Sequence, residues 1–436
     1  MRGLPLRCRI MTKELDLQSL DFAGIIRPGD TVMWGQATAE PVPLAQALMA
    51  QRHAIGPFKV FLGMTHSDTP RPEHADCIAF SSYCGTGGNR ALVKAGKLDI
   101  LPCHYSQLPG LIQSGRLKID VLMLQVAPAD QDGHYSFGIA HEFLIQAMDA
   151  ARVVIAEVND QAPWTYGERP VREADLDYIV RTSRAPLELV QPQPGEAELA
   201  IARHVAGLIE DGATLQFGLG AMPEAILGAL ADRRDLGIHS GTIGDKVAEL
   251  TRAGAITNAR KSIDRGLTVT GMMMGSKRLH DFAHRNPDVR FRSTTYVHNA
   301  DVLSQIDRFV ALNTAIEVDL SGQINAEVAN GLYIGAVGGA LDFLRAANRS
   351  NGGLPVVALA STAGRAEKRA SRIVSKLSGP VSTPRSDAGI IATEYGIADL
   401  RGMGLSERIR RMLAIAHPDF RERLEREAAQ SASRTA

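Results

Sequence analysis

The stretch IEDGATLQFGLGAMPEAILGALADR, residues 209–233, predicts a buried strand, a tight turn and a helix in direct succession. An Asp-Gly pair precedes a short apolar run, glycines follow it, and a proline opens a segment with helical periodicity. The stretch RPGDTVMWGQATAEPVPLAQALMAQ, residues 27–51, repeats this plan, so that Gly35 and Gly218 hold equivalent places. Strand, turn and helix in this order are typical of α/β domains.

Two further pairs of segments look alike and follow in the same order. KIDVLMLQVAPADQDGHYSFG is similar to QIDRFVALNTAIEVDLSGQIN, and DAARVVIAEVNDQAPWTYG is similar to SDAGIIATEYGIADLRG. Three matching pairs favour an internal duplication. Almost wholly apolar runs such as VVIAEV are typical of strands buried on both faces in parallel sheets.

We therefore predict an α/β protein with two similar open domains, each built on a mainly parallel sheet. The domains span residues 1–190 and 196–436, and the proline-containing linker QPQPG separates them. Ligands bind at the carboxyl ends of the strands in such sheets, and often between domains. The active site is therefore expected in the interdomain cleft.

Composition and charge argue against several classes of function. Lys+Arg and Asp+Glu both number 48, and no basic stripe is present, which argues against nucleic acid or a membrane surface as partner. No apolar run approaches the roughly 18 residues of a membrane span, and the N-terminus lacks the apolar core of a signal peptide. Met11 is an alternative start to Met1. We expect a cytoplasmic protein.

The cysteines and histidines carry no metal-binding or disulfide pattern. No CxxC pair and no HExxH motif is present, so we expect neither a structural disulfide nor a metal. The four cysteines are expected to be reduced thiols: Cys8, Cys77, Cys84 and Cys103.

Two glycine-containing turns are candidates for a ligand site. In QFGLGAMPEA the glycines would let the backbone approach a phosphate or an adenosine group at a helix N-terminus. In GLYIGAVGGALDF backbone N–H groups could face a carbonyl oxygen on which charge develops. A simple strand-to-helix turn explains either motif equally well. The methionines at 272–274 indicate core packing, or else an acyl pocket.

Taken together, these motifs resemble the acetyl-CoA hydrolase/transferase family, which includes 4-hydroxybutyrate and butyrate:acetate CoA-transferases. The resemblance covers residues 21–428 and rests on QFGLGAMPEAIL, DLGIHS, LNTAIEVDLSGQINAE, VGGALDF, ATEYGIADLRG and AHPDFRERL. It implies two CoA-transferase-type domains, an acyl-CoA and a short carboxylic acid as substrates, no tightly bound cofactor, and a homodimer or higher homo-oligomer. It also implies a set of coenzyme A contacts: Gly218, Leu219, Gly220, Ala221, Met222, Gly338 and Gly339.

In that family a glutamate follows the His-Ser or His-Thr pair after Leu-Gly-Ile and attacks the acyl thioester. An anhydride and then a glutamyl-CoA thioester form on it. Here that position is Gly241, so the resemblance implies an empty slot that Gly241→Glu would refill. The segment 335–340 and the pair at 33–34 also depart from the family pattern. We therefore predict a reshaped substrate pocket that includes Met33 and Gln36.

Three residues are candidates to replace the missing glutamate. Asp245 lies four residues further on, although a carboxylate there would also stabilise the N-terminus of a helix. His239 could activate a water as a base, or could simply be a packed strand histidine. Glu142, beside His141, is the third candidate. Glu40, Glu157, Glu317 and Glu327 match positions that the family also carries, so they do not look like replacements.

Three functions remain open from the sequence. The first is a CoA-transferase with a variant mechanism that acts on 4-hydroxybutyrate-, butyrate- or itaconate-type acids. The second is an acyl-CoA hydrolase, and the third is a non-catalytic CoA-binding subunit. Turnover of a short acyl-CoA would separate the first two functions from the third.

Overall fold

The structure, a computed structural model, describes residues 12–364 and 368–432. Cys8, both candidate start methionines and the last residues of the C-terminal tail lie outside the described residues. The described part of the chain forms two eight-stranded sheets with helices packed on them. The predicted α/β class is therefore confirmed.

The first sheet is formed by the N-terminal half of the chain. Its order is β1-β10-β8-β6-β2-β3-β4-β5, and each neighbouring pair is parallel. The strands of this half are β1 (Lys13–Glu14), β2 (Thr31–Trp34), β3 (Phe58–Leu62), β4 (Ile78–Ser82), β5 (Leu98–Ile100), β6 (Val121–Val126), β7 (His134–Tyr135), β8 (Val153–Asn159), β9 (Val171–Arg172) and β10 (Tyr178–Thr182). The α-helices are α1 (Val42–Ile55), α2 (Asn89–Lys94), α3 (Leu108–Gln113) and α4 (Leu144–Ala150).

The second sheet has the order β14-β13-β12-β11-β15-β20-β24-β25, and its pairs are parallel except the last. The strands of this half are β11 (Thr214–Phe217), β12 (Gly237–Ile243), β13 (Thr268–Met273), β14 (Val289–Phe291), β15 (Phe309–Thr314), β16 (Glu317–Asp319), β17 (Ile324–Asn325), β18 (Val328–Ala329), β19 (Leu332–Tyr333), β20 (Leu354–Ala358), β21 (Thr362–Ala363), β22 (Ala370–Ser371), β23 (Ile373–Val374), β24 (Ile390–Thr393) and β25 (Gly396–Asp399). The α-helices are α5 (Glu196–Ala206), α6 (Ala221–Gly228), α7 (Asp245–Arg252), α8 (Lys277–Ala283), α9 (Thr294–Val297), α10 (Ala300–Leu303), α11 (Ala340–Arg349), α12 (Leu405–Ile415) and α13 (Pro418–Ala432).

The two sheets have the same strand order when they are read from β5 and from β14. Strands β2 and β11 then hold equivalent places, and so do β6 and β15, as the first two pairs of similar segments predicted. The third pair of segments predicted that β8 and β24 hold equivalent places, and this prediction is wrong. Strand β8 neighbours β6, whereas β20 separates β24 from β15, so β24 is equivalent to β10. Buried parallel strands are all apolar, and their sequences therefore resemble one another whichever place they hold.

The halves are joined by a segment without helix or strand between Thr182 and Glu196, and the proposed domain limits fall in or beside it. Backbone hydrogen bonds also cross between the halves. The N–H of Met273 donates to the carbonyl of Ile139 at 3.0 Å, and that of His141 donates to Gly271 at 2.9 Å. The two sheets are therefore held against each other. Within the described residues, the helices are too short or too polar to cross a membrane.

Candidate active site

A cavity of about 350 Å³ lies between the two sheets. Its walls come from segments at the carboxyl ends of strands in both halves. Gln36 follows β2 and Tyr105 follows β5, while Gly218 and Gly241 lie at the ends of β11 and β12. The cavity therefore occupies the place where parallel sheets bind ligands.

Glu142 is the only acid among the described residues that line this cavity. Its carboxylate accepts a hydrogen bond from the side-chain amide of Gln36 at 2.7 Å and another from the hydroxyl of Tyr105. Its backbone φ is 36°, in the left-handed region that is strained for a side chain other than glycine. The contacts around Glu142 therefore hold it in a conformation that the isolated chain would rarely adopt.

Burial raises the pKa of Glu142 to about 7, although the hydrogen bonds from Tyr105 and Gln36 act in the opposite direction. The amide of Gln36 cannot turn over freely, because its oxygen accepts from the hydroxyl of Tyr83 at 2.8 Å and from the N–H of Met64 at 2.9 Å. The NH₂ group of Gln36 is thereby directed at Glu142. The cavity thus contains an oriented carboxyl group that ionises near neutral pH.

The two predicted glycine turns meet across this cavity, and Gly218, Leu219, Gly338 and Gly339 line it. Gly338 has a φ of 57°, and its carbonyl accepts the N–H of Tyr105 at 2.9 Å. The other three predicted coenzyme A contacts are not among its lining residues: Gly220, Ala221 and Met222. Gly220 instead donates its N–H to Gln191 at 3.0 Å, and Ala221 begins α6.

Comparison with known proteins identifies the family. Residues 16–191 match the acetyl-CoA hydrolase/transferase N-terminal domain, and residues 275–428 match the C-terminal domain of the same family. This chain belongs to the acetyl-CoA hydrolase/transferase family. The resemblance inferred from the motifs is therefore confirmed.

Three similar proteins show how far the family likeness extends. The 4-hydroxybutyrate coenzyme A transferase of Clostridium kluyveri is 38% identical over 397 residues, which cover 90% of this chain and 92% of that protein. RipA from Yersinia pestis is 32% identical with a TM-score of 0.91, covering 96% of this chain and 98% of that one. A 4-hydroxybutyrate CoA-transferase from Porphyromonas gingivalis is 33% identical with a TM-score of 0.81, covering 96% of this chain and 97% of that one.

Gly241, the residue that the motifs align with the family glutamate, lies on β12 and lines the cavity. Its φ is outside the left-handed region, so the backbone would accept a side chain. However, a Cβ at this position would lie 3.2 Å from both Cε1 and Nε2 of His298. The predicted empty slot at Gly241 therefore stays a prediction, and the His298 ring adjoins the space that a new side chain would enter.

Asp245 is not among the residues that line the cavity. It is the first residue of α7, and its carboxylate accepts from the N–H of Ser276 at 3.0 Å and from the Ser276 hydroxyl at 2.9 Å. Ser276 precedes α8, so Asp245 fastens the start of one helix to the start of another. The geometry favours this structural role over the catalytic alternative.

His239 and Met33 also lie outside the lining of the cavity. The Nε2 atom of His239 is 3.1 Å from the carbonyl of Val297, and burial lowers the pKa of this histidine to about 3. Its packed-strand interpretation is the one that the contacts favour. Met33 is fully buried in the core on β2. Its place in the substrate pocket therefore stays a prediction, since its side chain packs in the core and is not among the lining residues.

Several lining residues were not predicted from the sequence as site residues: Tyr83, Cys84, Tyr105, Gln216, His298 and Asn313. Most of them lie near the carboxyl ends of strands, which is the one signal that could have indicated them. Met272 and Met274 line the cavity as well, in agreement with the acyl-pocket alternative. The groups of described residues whose donor atoms could share a metal lie elsewhere, at His53, Asp76 and Cys77 and at Asp130, Asp132 and His134.

Proposed function

We propose that this chain is a CoA-transferase that moves coenzyme A from a short acyl-CoA to a carboxylic acid. The observation that carries the proposal is Glu142, a carboxyl group that ionises near neutral pH inside a cavity between two glycine turns. The two relatives described above whose activity is stated are CoA-transferases, which favours transfer over hydrolysis or binding alone.

We assign the role of nucleophile to Glu142. A carboxylate oxygen of Glu142 adds to the thioester carbon, the C–S bond breaks, and coenzyme A leaves as its thiolate with a mixed anhydride formed. The thiolate then attacks the Glu142 carbonyl carbon of this anhydride and releases the first acid as its carboxylate. A second carboxylate reverses the two steps and leaves as the new acyl-CoA. No net proton is consumed, and each step is a reversible acyl exchange.

Gln36 and Tyr105 orient Glu142 for this role. Both groups donate to its carboxylate, so they stabilise its ionised form and limit its rotation. Coenzyme A is proposed to contact the turns at Gly218 and Gly338, where the absence of side chains leaves the backbone accessible. Coenzyme A is a substrate in this scheme, and no tightly bound cofactor is required.

The walls of the cavity favour a short acyl group with little charge. Apolar side chains contribute much of the lining: Met64, Phe217, Leu219, Met272, Met274 and Phe343. No lysine or arginine is found among the described lining residues, so a second carboxylate would have no cationic partner there. We therefore favour butyrate- and 4-hydroxybutyrate-type acids over itaconate-type acids.

The test is coenzyme A exchange between butyryl-CoA and either acetate or 4-hydroxybutyrate, with free thiol measured in parallel. Glu142→Gln should lower the rate of transfer at least about 100-fold. Glu210→Gln, which changes an exposed glutamate in the same way, is the control and should keep the rate. Free thiol without a new acyl-CoA would mean hydrolysis. Calorimetric binding of coenzyme A without turnover by the wild type would mean a binding subunit.

We also expect a cytoplasmic protein, and the family resemblance implies a homo-oligomer.

A further inference from the structure

His298 lies directly after α9 and lines the cavity beside Gly241. Its ring is held between two aromatic rings, with centroid distances of 5.0 Å to Tyr105 and 4.5 Å to Phe343. Tyr105 is also the residue that donates to Glu142. His298 is therefore fixed next to the proposed nucleophile by a residue that both of them contact.

The space for this ring depends on two glycines. A Cβ at residue 241 would lie 3.2 Å from Nε2 of His298, and a Cβ at residue 339 would lie only 2.7 Å from the same atom. Contacts as short as the second are not formed by real side chains, so the ring fits because both positions lack a Cβ. Gly241, Gly339 and His298 thus form one packed unit in the wall of the cavity.

One ring nitrogen of His298 lacks a hydrogen-bond partner in the protein. Among the described residues, Nδ1 of His298 is buried without a hydrogen-bond partner. A buried nitrogen without a partner is costly and uncommon in folded proteins. The other ring nitrogen, Nε2, adjoins two glycines that themselves line the cavity, so a bound molecule can reach that atom.

Burial lowers the pKa of His298 to about 3, and the neighbouring His239 acts in the same direction. The imidazole is therefore neutral at neutral pH, with one N–H donor and one acceptor nitrogen. A neutral donor leaves Glu142 available as a nucleophile, because it does not form an ion pair with the carboxylate.

We propose that His298 is a further catalytic residue, whose Nε2–H donates a hydrogen bond to the carbonyl oxygen of the bound thioester. This inference rests on the proposed transferase function. When Glu142 adds to the carbonyl carbon, the π electrons of the C=O bond move onto the oxygen and give it negative charge. The imidazole N–H stabilises that charge without giving up its proton. The C–S bond then breaks as the C=O bond re-forms.

Three substitutions separate hydrogen bonding from packing. His298→Phe keeps a ring of similar size but removes both nitrogens. The side-chain amide of Gln reaches the position of Nε2, whereas that of Asn reaches the position of Nδ1. We expect kcat for transfer to fall about 100-fold in His298→Phe and His298→Asn. His298→Gln should recover at least tenfold over His298→Phe.

The affinity for coenzyme A, measured by calorimetry, should stay within about twofold of the wild type in the three variants. His280→Phe serves as a control, since it alters a buried histidine that does not line the cavity. Full activity in His298→Phe, or equal losses in the Gln and Phe variants, would overturn the proposed hydrogen bond. A wild type that transfers no coenzyme A would instead refute the underlying function.

A measurement on the wild type covers the case in which the variants fail to fold. The ¹⁵N resonances of the His298 imidazole are recorded with and without a dethia analogue of butyryl-CoA, in which a methylene replaces the thioester sulfur. Binding should shift the Nε2 resonance, because its N–H gains a carbonyl acceptor. An unchanged Nε2 resonance at saturating analogue would contradict the proposal.

Discussion

Gly241→Glu places a carboxylate at the position that the sequence motifs match to the family glutamate, and the structure predicts that this substitution alone does not create a working nucleophile. The backbone at 241 is not left-handed, so the new side chain causes no local strain of that kind. The obstacle is His298, which would lie 3.2 Å from the new Cβ at two ring atoms. Optimal contacts between carbon atoms are about 3.5–4.0 Å, so the ring must move by several tenths of an ångström.

The expected cost follows from this crowding. Overpacking a buried site typically costs about 1–3 kcal/mol, and the added carboxylate must also be desolvated. The ring of His298 has little room to retreat, because Tyr105 and Phe343 lie against it. We therefore expect Gly241→Glu to lower the free energy of unfolding by about 1–3 kcal/mol and to yield no covalent adduct at residue 241.

Removing the ring should reverse the effect. In the double variant Gly241→Glu/His298→Ala, the glutamate gains the vacated space, and stability should recover by at least about 1 kcal/mol relative to the sum of the single changes. Urea unfolding measures this coupling. Borohydride trapping after incubation with butyryl-CoA should locate an adduct at residue 241 in the double variant alone, and Gly241→Gln/His298→Ala is the control without a carboxylate. Additive free energies, or an adduct in the single variant, would refute the reasoning.

Further outcomes are expected from the same structure. Because the pKa of Glu142 is raised to about 7, kcat/KM for transfer should rise with pH through that value. Tyr105→Phe removes a hydrogen-bond donor that lowers this pKa, so it should move the midpoint of the pH profile upward. The same shift means that the folded state binds more protons than the unfolded state between pH 4.5 and about 7. Urea unfolding at a series of pH values should therefore show the free energy of unfolding falling as pH rises across this range. Asp245→Asn should leave kcat unchanged but lower the free energy of unfolding, measured in urea, by about 1–3 kcal/mol. A large loss of kcat would instead support Asp245 as a catalytic residue. Gly338→Val should weaken coenzyme A binding at least tenfold, about 1.4 kcal/mol. Light scattering of the wild type should give a molecular mass of at least twice the 46.9 kDa of one chain.

The predictions that succeeded rest on short-range patterns. Apolar runs bounded by glycine turns identified the strands, since a strand buried on both faces must be apolar along its whole length. The similarity between residues 27–51 and 209–233 identified two equivalent central strands, β2 and β11. The third pair of segments wrongly predicted that β8 and β24 are equivalent strands. Apolar runs reveal that a strand is buried, but they do not distinguish one buried strand from another.

The contacts that the sequence did not indicate join residues that are distant in the chain. Asp245 lies at a helix start near the family motif, yet its carboxylate is bound to Ser276, 31 residues further on. Gln36 and Glu142 were both named from the sequence, but their contact spans 106 residues and needed Tyr105, which no motif indicated. A motif records which residues are near in the chain, whereas ionisation and hydrogen bonding depend on which residues are near in space.

The sequence by itself determined the α/β class, the duplicated plan and the family, because periodicity, glycine turns and motif spacing are properties of consecutive residues. Only the tertiary structure decided which residues share the cavity. It placed Glu142 in a buried site that raises its pKa to about 7, and it filled the space beside Gly241 with a histidine 57 positions away. Burial and steric exclusion act between side chains that meet only when the two sheets pack together. The order of residues in the chain therefore does not reveal these effects.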